Sequence, residues 1–121
     1  MGIEKNFIIL CDNASLKDKK LSIEGVFDAI YAPSFPATHK TMYIVSHFEI
    51  DPGSYNEKFV ITRPDGTKFT SQEFPFEAEK SRHQFIQQLN NLALTKEGKY
   101  TVEIYINNEL IGSNYFLANQ Q

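Results

Sequence analysis

Turn signals recur along this chain at short intervals, and that rhythm restricts the fold more than any other feature. They fall at residues 13–20, 32–40, 51–54, 64–66, 74–81, 96–99 and 107–109. Between them lie short runs rich in Ile, Val, Phe, Tyr and Thr, the mark of an antiparallel sandwich or barrel. The expected fold is therefore all-β, an antiparallel immunoglobulin-like or C2-like β-sandwich of seven to eight strands. With 121 residues and 41% apolar content, residues 1–121 make one domain with a core that needs no disulfide.

The clearest strand is Tyr-Thr-Val-Glu-Ile-Tyr-Ile-Asn. Tyr100, Val102, Ile104 and Ile106 alternate with Thr101, Glu103, Tyr105 and Asn107, so one face is apolar. A hairpin loop at Asn108 and Glu109 sets Ile106 against Ile111, Val102 against Tyr115 and Tyr100 against Leu117. Shifting the loop to Asn107 and Asn108 sets Ile106 against Glu109, and a one-residue slip reverses every side chain. The first register is expected. It leaves Leu110 and Phe116 facing outward, to be covered either by the loop before Ser81 or by a second subunit.

Pro64, Asp65 and Gly66 form a hairpin turn between residues 57–63 and 67–74. Asp51, Pro52 and Gly53 end a long strand over 41–51 in the same way. Residues 82–95 fit helical spacing in part, but their surroundings favour a strand. Leu94, Gly98 and Tyr100 match a tyrosine corner, in which the hydroxyl bonds back to the preceding turn.

Taken in order, Cys11-Asp12, Gly25-Val26-Phe27-Asp28, Ala32-Pro33-Ser34-Phe35-Pro36 and Gly98-Lys99-Tyr100 resemble a family of small uncharacterised bacterial β-sandwich proteins, a domain of unknown function. The resemblance spans nearly the whole chain and implies an immunoglobulin-like or C2-like fold. It brings no established activity.

Few classes of chemistry fit these residues. The net charge is −3, so no basic excess neutralises phosphates and a nucleic-acid partner is not expected. No apolar run approaches the roughly 20 residues of a membrane span. Cys11 is the only cysteine. It lies beside a carboxylate, which raises a thiol pKa, and far in sequence from His39, His47 and His83, so it reads as a buried structural thiol. No nucleophile elbow, phosphate loop or dinucleotide fingerprint is present, and no enzyme or cofactor is expected. The histidines match no zinc spacing. Asp12, Asp28, Asp51 and Asp65 sit near strand ends, where a C2-like sandwich would ligate calcium. Turn chemistry accounts for Asp51 and Asp65, and no metal site is assigned.

Two prolines stiffen the loop Ala-Pro-Ser-Phe-Pro-Ala-Thr-His. Phe35 has two fates there: it plugs an open end of the sandwich, or it projects as a rigid anchor for a partner. The expected function is a non-catalytic, cytoplasmic protein-binding module engaging a protein partner or its own copy. Its expected contact residues are Pro33, Phe35, Pro36 and His39 in the loop, with Leu110 and Phe116 on the terminal strand edge. The rival reading is a small-ligand or calcium-binding C2-like sandwich.

Overall fold

The computed structural model describes residues 3–121 and contains ten strands and no helix among them. In chain order these are β1 (Glu4–Lys17), β2 (Lys20–Val26), β3 (Ala29–Ala32), β4 (Ala37–Glu49) and β5 (Gly53–Thr62). They continue as β6 (Lys68–Thr70), β7 (Phe74–Ala78), β8 (Arg82–Leu94), β9 (Gly98–Ile106) and β10 (Glu109–Gln120). One sheet has the order β2-β1-β4-β8. The other runs β3-β10-β9-β5-β6, with β7 pairing β5 beyond β6. The two pack face to face as an immunoglobulin-like sandwich.

Ten strands replace the expected seven to eight because the expected turn over 74–81 contains a strand and the run after residue 20 splits into β2 and β3. Other expected turns are shorter than their residues suggest. Residues 13–17 continue β1, and only Asp18 and Lys19, both with positive φ, turn the chain. Residues 74–78 form β7 along the edge of β5. The long strand expected over 41–51 begins earlier, at Ala37, and ends at Glu49. One pair also departs from the antiparallel rule: β3 runs parallel to β10, with Ala29 beside Leu117 and Ala32 beside Gln120.

The core is built as the period-2 pattern dictates. Tyr100, Val102, Ile104 and Ile106 of β9 meet Leu10, Met42, Ile44 and Phe48 of the opposite sheet in one buried cluster. The tyrosine corner forms: the Tyr100 hydroxyl donates to the Lys96 carbonyl at 2.7 Å and accepts from the Lys96 amide at 3.3 Å. A polar tip is thereby satisfied on a fully buried ring. Residues 82–94 are strand throughout, paired with β4 along their length.

The β9–β10 hairpin overturns the expected register. Asn107 and Asn108 form the turn, with φ of 52° and 66°. Asn tolerates the left-handed region far better than Glu, and a two-residue primed turn requires it twice. Glu109 therefore does pair with Ile106, and the conflict of faces is removed one step later. A bulge leaves Ile111 unpaired between Leu110 and Gly112, which resets the alternation. Beyond it Phe116 pairs with Tyr100, Tyr115 with Thr101 and Leu117 with Lys99. Phe116 is fully buried and stacks on Tyr100 at 5.1 Å.

A second, smaller apolar cluster lies on the outer face of the four-stranded sheet. Val45 follows core-facing Ile44 and points the other way, flanked by Ile9 and Ile86 on neighbouring strands. Cys11 and Ala14 are buried with it, and Leu21 and Ile23 of β2 pack onto it.

Candidate functional site

The chain crosses from the first sheet to the second within residues 26–28, and both sides of the crossing are stitched by backbone bonds. The Phe27 amide donates to the Leu10 carbonyl at 3.0 Å, and the Leu117 amide donates to the Asp28 carbonyl at 2.9 Å. Gly25 enters the crossing at a φ of 67°, and the Asp12 carboxylate sits 2.4 Å from where a Cβ would stand. No other residue fits there without displacing Asp12. The Phe27 ring meets Phe116 and His39 edge-on, each at 6.0 Å.

Because β3 covers only residues 117–120 of β10, the stretch before it lacks a strand on that flank. Asn114 bridges the gap instead, its Nδ2 donating to the Ile8 carbonyl of β1 at 2.9 Å. Two shallow clefts flank this bridge, of about 320 Å³ and 390 Å³, and they share Asp28, Asn114 and Tyr115. Val26 opens onto the first; Tyr31 and Leu117 open onto the second. All are large apolar side chains in water: Val26 is 67% exposed, Tyr31 62%, Tyr115 48% and Leu117 40%. The Lys99 ammonium lies 4.4 Å from the centre of the Tyr115 ring, a cation–π contact that fixes the ring while leaving it exposed.

The residues expected to bind a partner are dispersed by the fold. Pro33 and Pro36 are exposed, and the Pro33 carbonyl accepts from Gln120 Nε2 at 3.2 Å. Phe35 is half-buried and packs against the core cluster, so of its two fates the inward one is taken. His39 is half-buried beside Phe27, its Nε2 buried without a partner, and burial lowers its pKa although Asp12 opposes this. Leu110 is exposed as expected, but near the Asn107 turn and away from the clefts. Phe116 is core and cannot touch a partner; the bulge at Ile111 exchanged its outward place for those of Tyr115 and Leu117.

The candidate chemistry stays apart as well. Cys11 is buried, its Sγ 3.9 Å from the Tyr43 carbonyl, and burial raises the thiol pKa, with Asp12 adding to the rise. Among the described residues, no group of three or more His, Cys, Asp or Glu converges on a point that could hold a metal ion. Asp65 accepts from the Thr67 hydroxyl and amide at 2.6 and 2.9 Å, and these bonds hold its carboxyl down to about 2. Its role is that of a turn residue. The Asp51 carbonyl accepts from the Tyr55 hydroxyl at 2.7 Å.

One buried acid has no counterpart among the expected residues. Glu57 of β5 is 2% exposed in the core between Tyr55 and Phe59. Gln87 Nε2 donates to its Oε1 at 2.7 Å across the sheets, and Oε2 has no partner. Burial pushes its pKa up to about 8, against the smaller lowering effect of the Gln87 bond.

No helix among the described residues is long and apolar enough to cross a membrane. No curated protein matches the sequence. Among solved structures, an immunoglobulin-like protein from Pseudomonas aeruginosa matches with a TM-score of 0.46 and 9% identity, over 98% of this chain and 97% of that one. A Pseudomonas fluorescens alkylpurine DNA glycosylase, AlkC, bound to DNA containing an abasic site analog, matches with a TM-score of 0.59 and 12% identity. The match covers 97% of this chain, which spans only 30% of the glycosylase; at that identity the likeness concerns fold alone. A family model matches residues 6–117, and the chain belongs to that family, described as a family of unknown function, DUF6941.

Proposed function

We propose that this domain is a non-catalytic protein-binding module whose contact surface is the face formed by Val26, Tyr31, Tyr115 and Leu117. The observation that carries the reading is the exposure of these four side chains around two adjoining clefts. Scattered exposed apolar residues are ordinary, whereas a contiguous set with two tyrosines resembles the anchor-rich centre of an interface. The neighbouring Asp28 and Asn114 supply polar groups at its middle. The buried, high-pKa thiol of Cys11 and the dispersal of the histidines support a non-catalytic role. A lone unpaired cysteine fits a reducing compartment such as the cytoplasm.

The test is affinity purification of tagged wild type and of Tyr31→Glu/Tyr115→Glu from the source cell. A protein partner that copurifies stoichiometrically with wild type, is lost in the double variant and is retained by Leu16→Glu supports the reading. Leu16 is equally exposed but lies on the β1–β2 hairpin. If the double variant folds and keeps the same partner, this face is not the contact surface.

A further inference from the structure

Beyond that face, we propose that the open edge of β8 pairs with the same edge of a second copy of this chain. The two strands run antiparallel about Ile86 and join the two four-stranded sheets into one.

β8 is the outermost strand of its sheet, and among the described residues no backbone hydrogen bond outside its ladder with β4 involves residues 83–90. Edge strands are normally blunted by charge, proline, bulges or shortness. The other edges show these devices. β2 carries Lys20, Glu24 and a left-handed Gly25, β7 carries Pro75 and Glu77, and β3 and β6 have four and three residues. By contrast, residues 83–90 of β8 contain neither proline nor any Asp, Glu, Lys or Arg. Protection lies at the two ends of this stretch: Arg82 opens the strand, and beyond it Asn91 adopts a φ of 58° and Arg63 Nε caps the Ala93 carbonyl at 2.8 Å. The open stretch is roughly 27 Å long at about 3.4 Å per residue.

The side chains favour a copy of the same strand as the occupant. About a dyad at Ile86, Gln84 lies opposite Gln88 of the second copy, Phe85 opposite Gln87, and His83 opposite Leu89. Amide therefore meets amide on the outer face, and no like charges are brought together. A charged foreign strand would find no opposite charge along this edge. Ile86 also belongs to the outer-face cluster of Val45, Ile9 and Tyr43, so the dyad makes two partly exposed clusters continuous. Each copy offers one such edge, and a two-fold pairing uses both, which closes the assembly as a dimer and leaves no edge for a fibre.

The experiment is sedimentation velocity over a dilution series on the full chain, with two paired-charge variants. Gln84→Lys/Gln88→Lys sets like charges across the dyad, whereas Gln84→Lys/Gln88→Glu sets opposite ones. The wild type and the opposite-charge variant should be dimers. The like-charge variant should weaken the dimer by at least about tenfold while melting like the opposite-charge one at low concentration. A wild type that is monomeric throughout, a dimer that survives the like-charge substitution, or one lost equally in both variants overturns the proposal. So does a dimer lost only in Tyr31→Glu/Tyr115→Glu, which would move self-association to the other face. The copurification test fails or succeeds independently, because it reads a different protein on a different surface.

Discussion

The two long flanks of the sandwich are closed by opposite means. Where β7 meets β8, rings fill the seam: Phe76 stacks on His83 at 4.1 Å and meets Phe85 edge-on at 4.8 Å, with Tyr55 stacked behind it at 5.5 Å. The Glu57–Gln87 bond spans the sheets on the same side. Where β1 meets β10, one amide side chain and two backbone bonds of the crossing hold the sheets together. Aromatic closure packs rings into the seam itself and leaves a cleft on its outer side, beside Tyr55 and Phe76. The hydrogen-bonded closure leaves two clefts at the seam with their exposed tyrosines. The first flank ties its sheets together through side-chain packing, and the second through hydrogen bonds that leave apolar side chains exposed between them.

The comparison makes ordered predictions. The largest effect comes from Glu57. In the fold its carboxyl keeps its proton up to about pH 8, whereas the unfolded chain releases it near 4.5. Its contribution to stability is therefore complete below that lower value and is lost as pH rises toward about 8, with a slope of up to about 1.4 kcal/mol per pH unit. Urea unfolding across that window should show the decline, and Glu57→Gln, which keeps a carbonyl for Gln87, should flatten it. A wild-type profile with no such slope would mean the carboxyl is not buried in solution. Next, Phe76→Ala should cost about 2–4 kcal/mol, since the ring touches three others. On the opposite flank, Gly25→Ala should cost about 1–3 kcal/mol, because a side chain there is both left-handed and in collision with Asp12. Asn114→Ala should cost only about 1 kcal/mol. If Asn114→Ala proves as damaging as Phe76→Ala, the contrast between the flanks is mistaken.

Much of this architecture is legible in the chain. Strand β9 alternates cleanly, the Pro64–Gly66 turn falls where its residues demand, and Tyr100 finds the carbonyl its corner requires. Legibility fails where periodicity is broken or absent. Residues 13–17 alternate only through the small Ala14 and the exposed Leu16, and their Asn, Ser and Lys read more strongly as a turn than as a strand. Around Tyr115, Phe116 and Leu117 three apolar residues run together, and no alternation decides which face each takes. The adjacent pair Leu110 and Ile111 followed by Gly112 did carry a signal, since glycine inside a strand often marks a bulge. Reading it would have placed Phe116 in the core and Tyr115 and Leu117 outside. Glu57 was visible too, because Tyr55, Phe59 and Ile61 share its parity; a charged residue on that face is the kind of conflict that sequence pattern alone tends to discount.

The parallel contact between β3 and β10 imposes an order on folding. Ala29 is made early and meets Leu117 only at the far end of the domain. Every other ladder joins strands that lie closer along the chain, so the β3 ribbon waits longest for its partner. Contacts of such separation close loops of high entropy and form late. During synthesis, the face carrying Tyr31 therefore exists only once the whole domain has emerged, and a partner that reads Tyr31 together with Leu117 would bind finished molecules and pass over nascent ones.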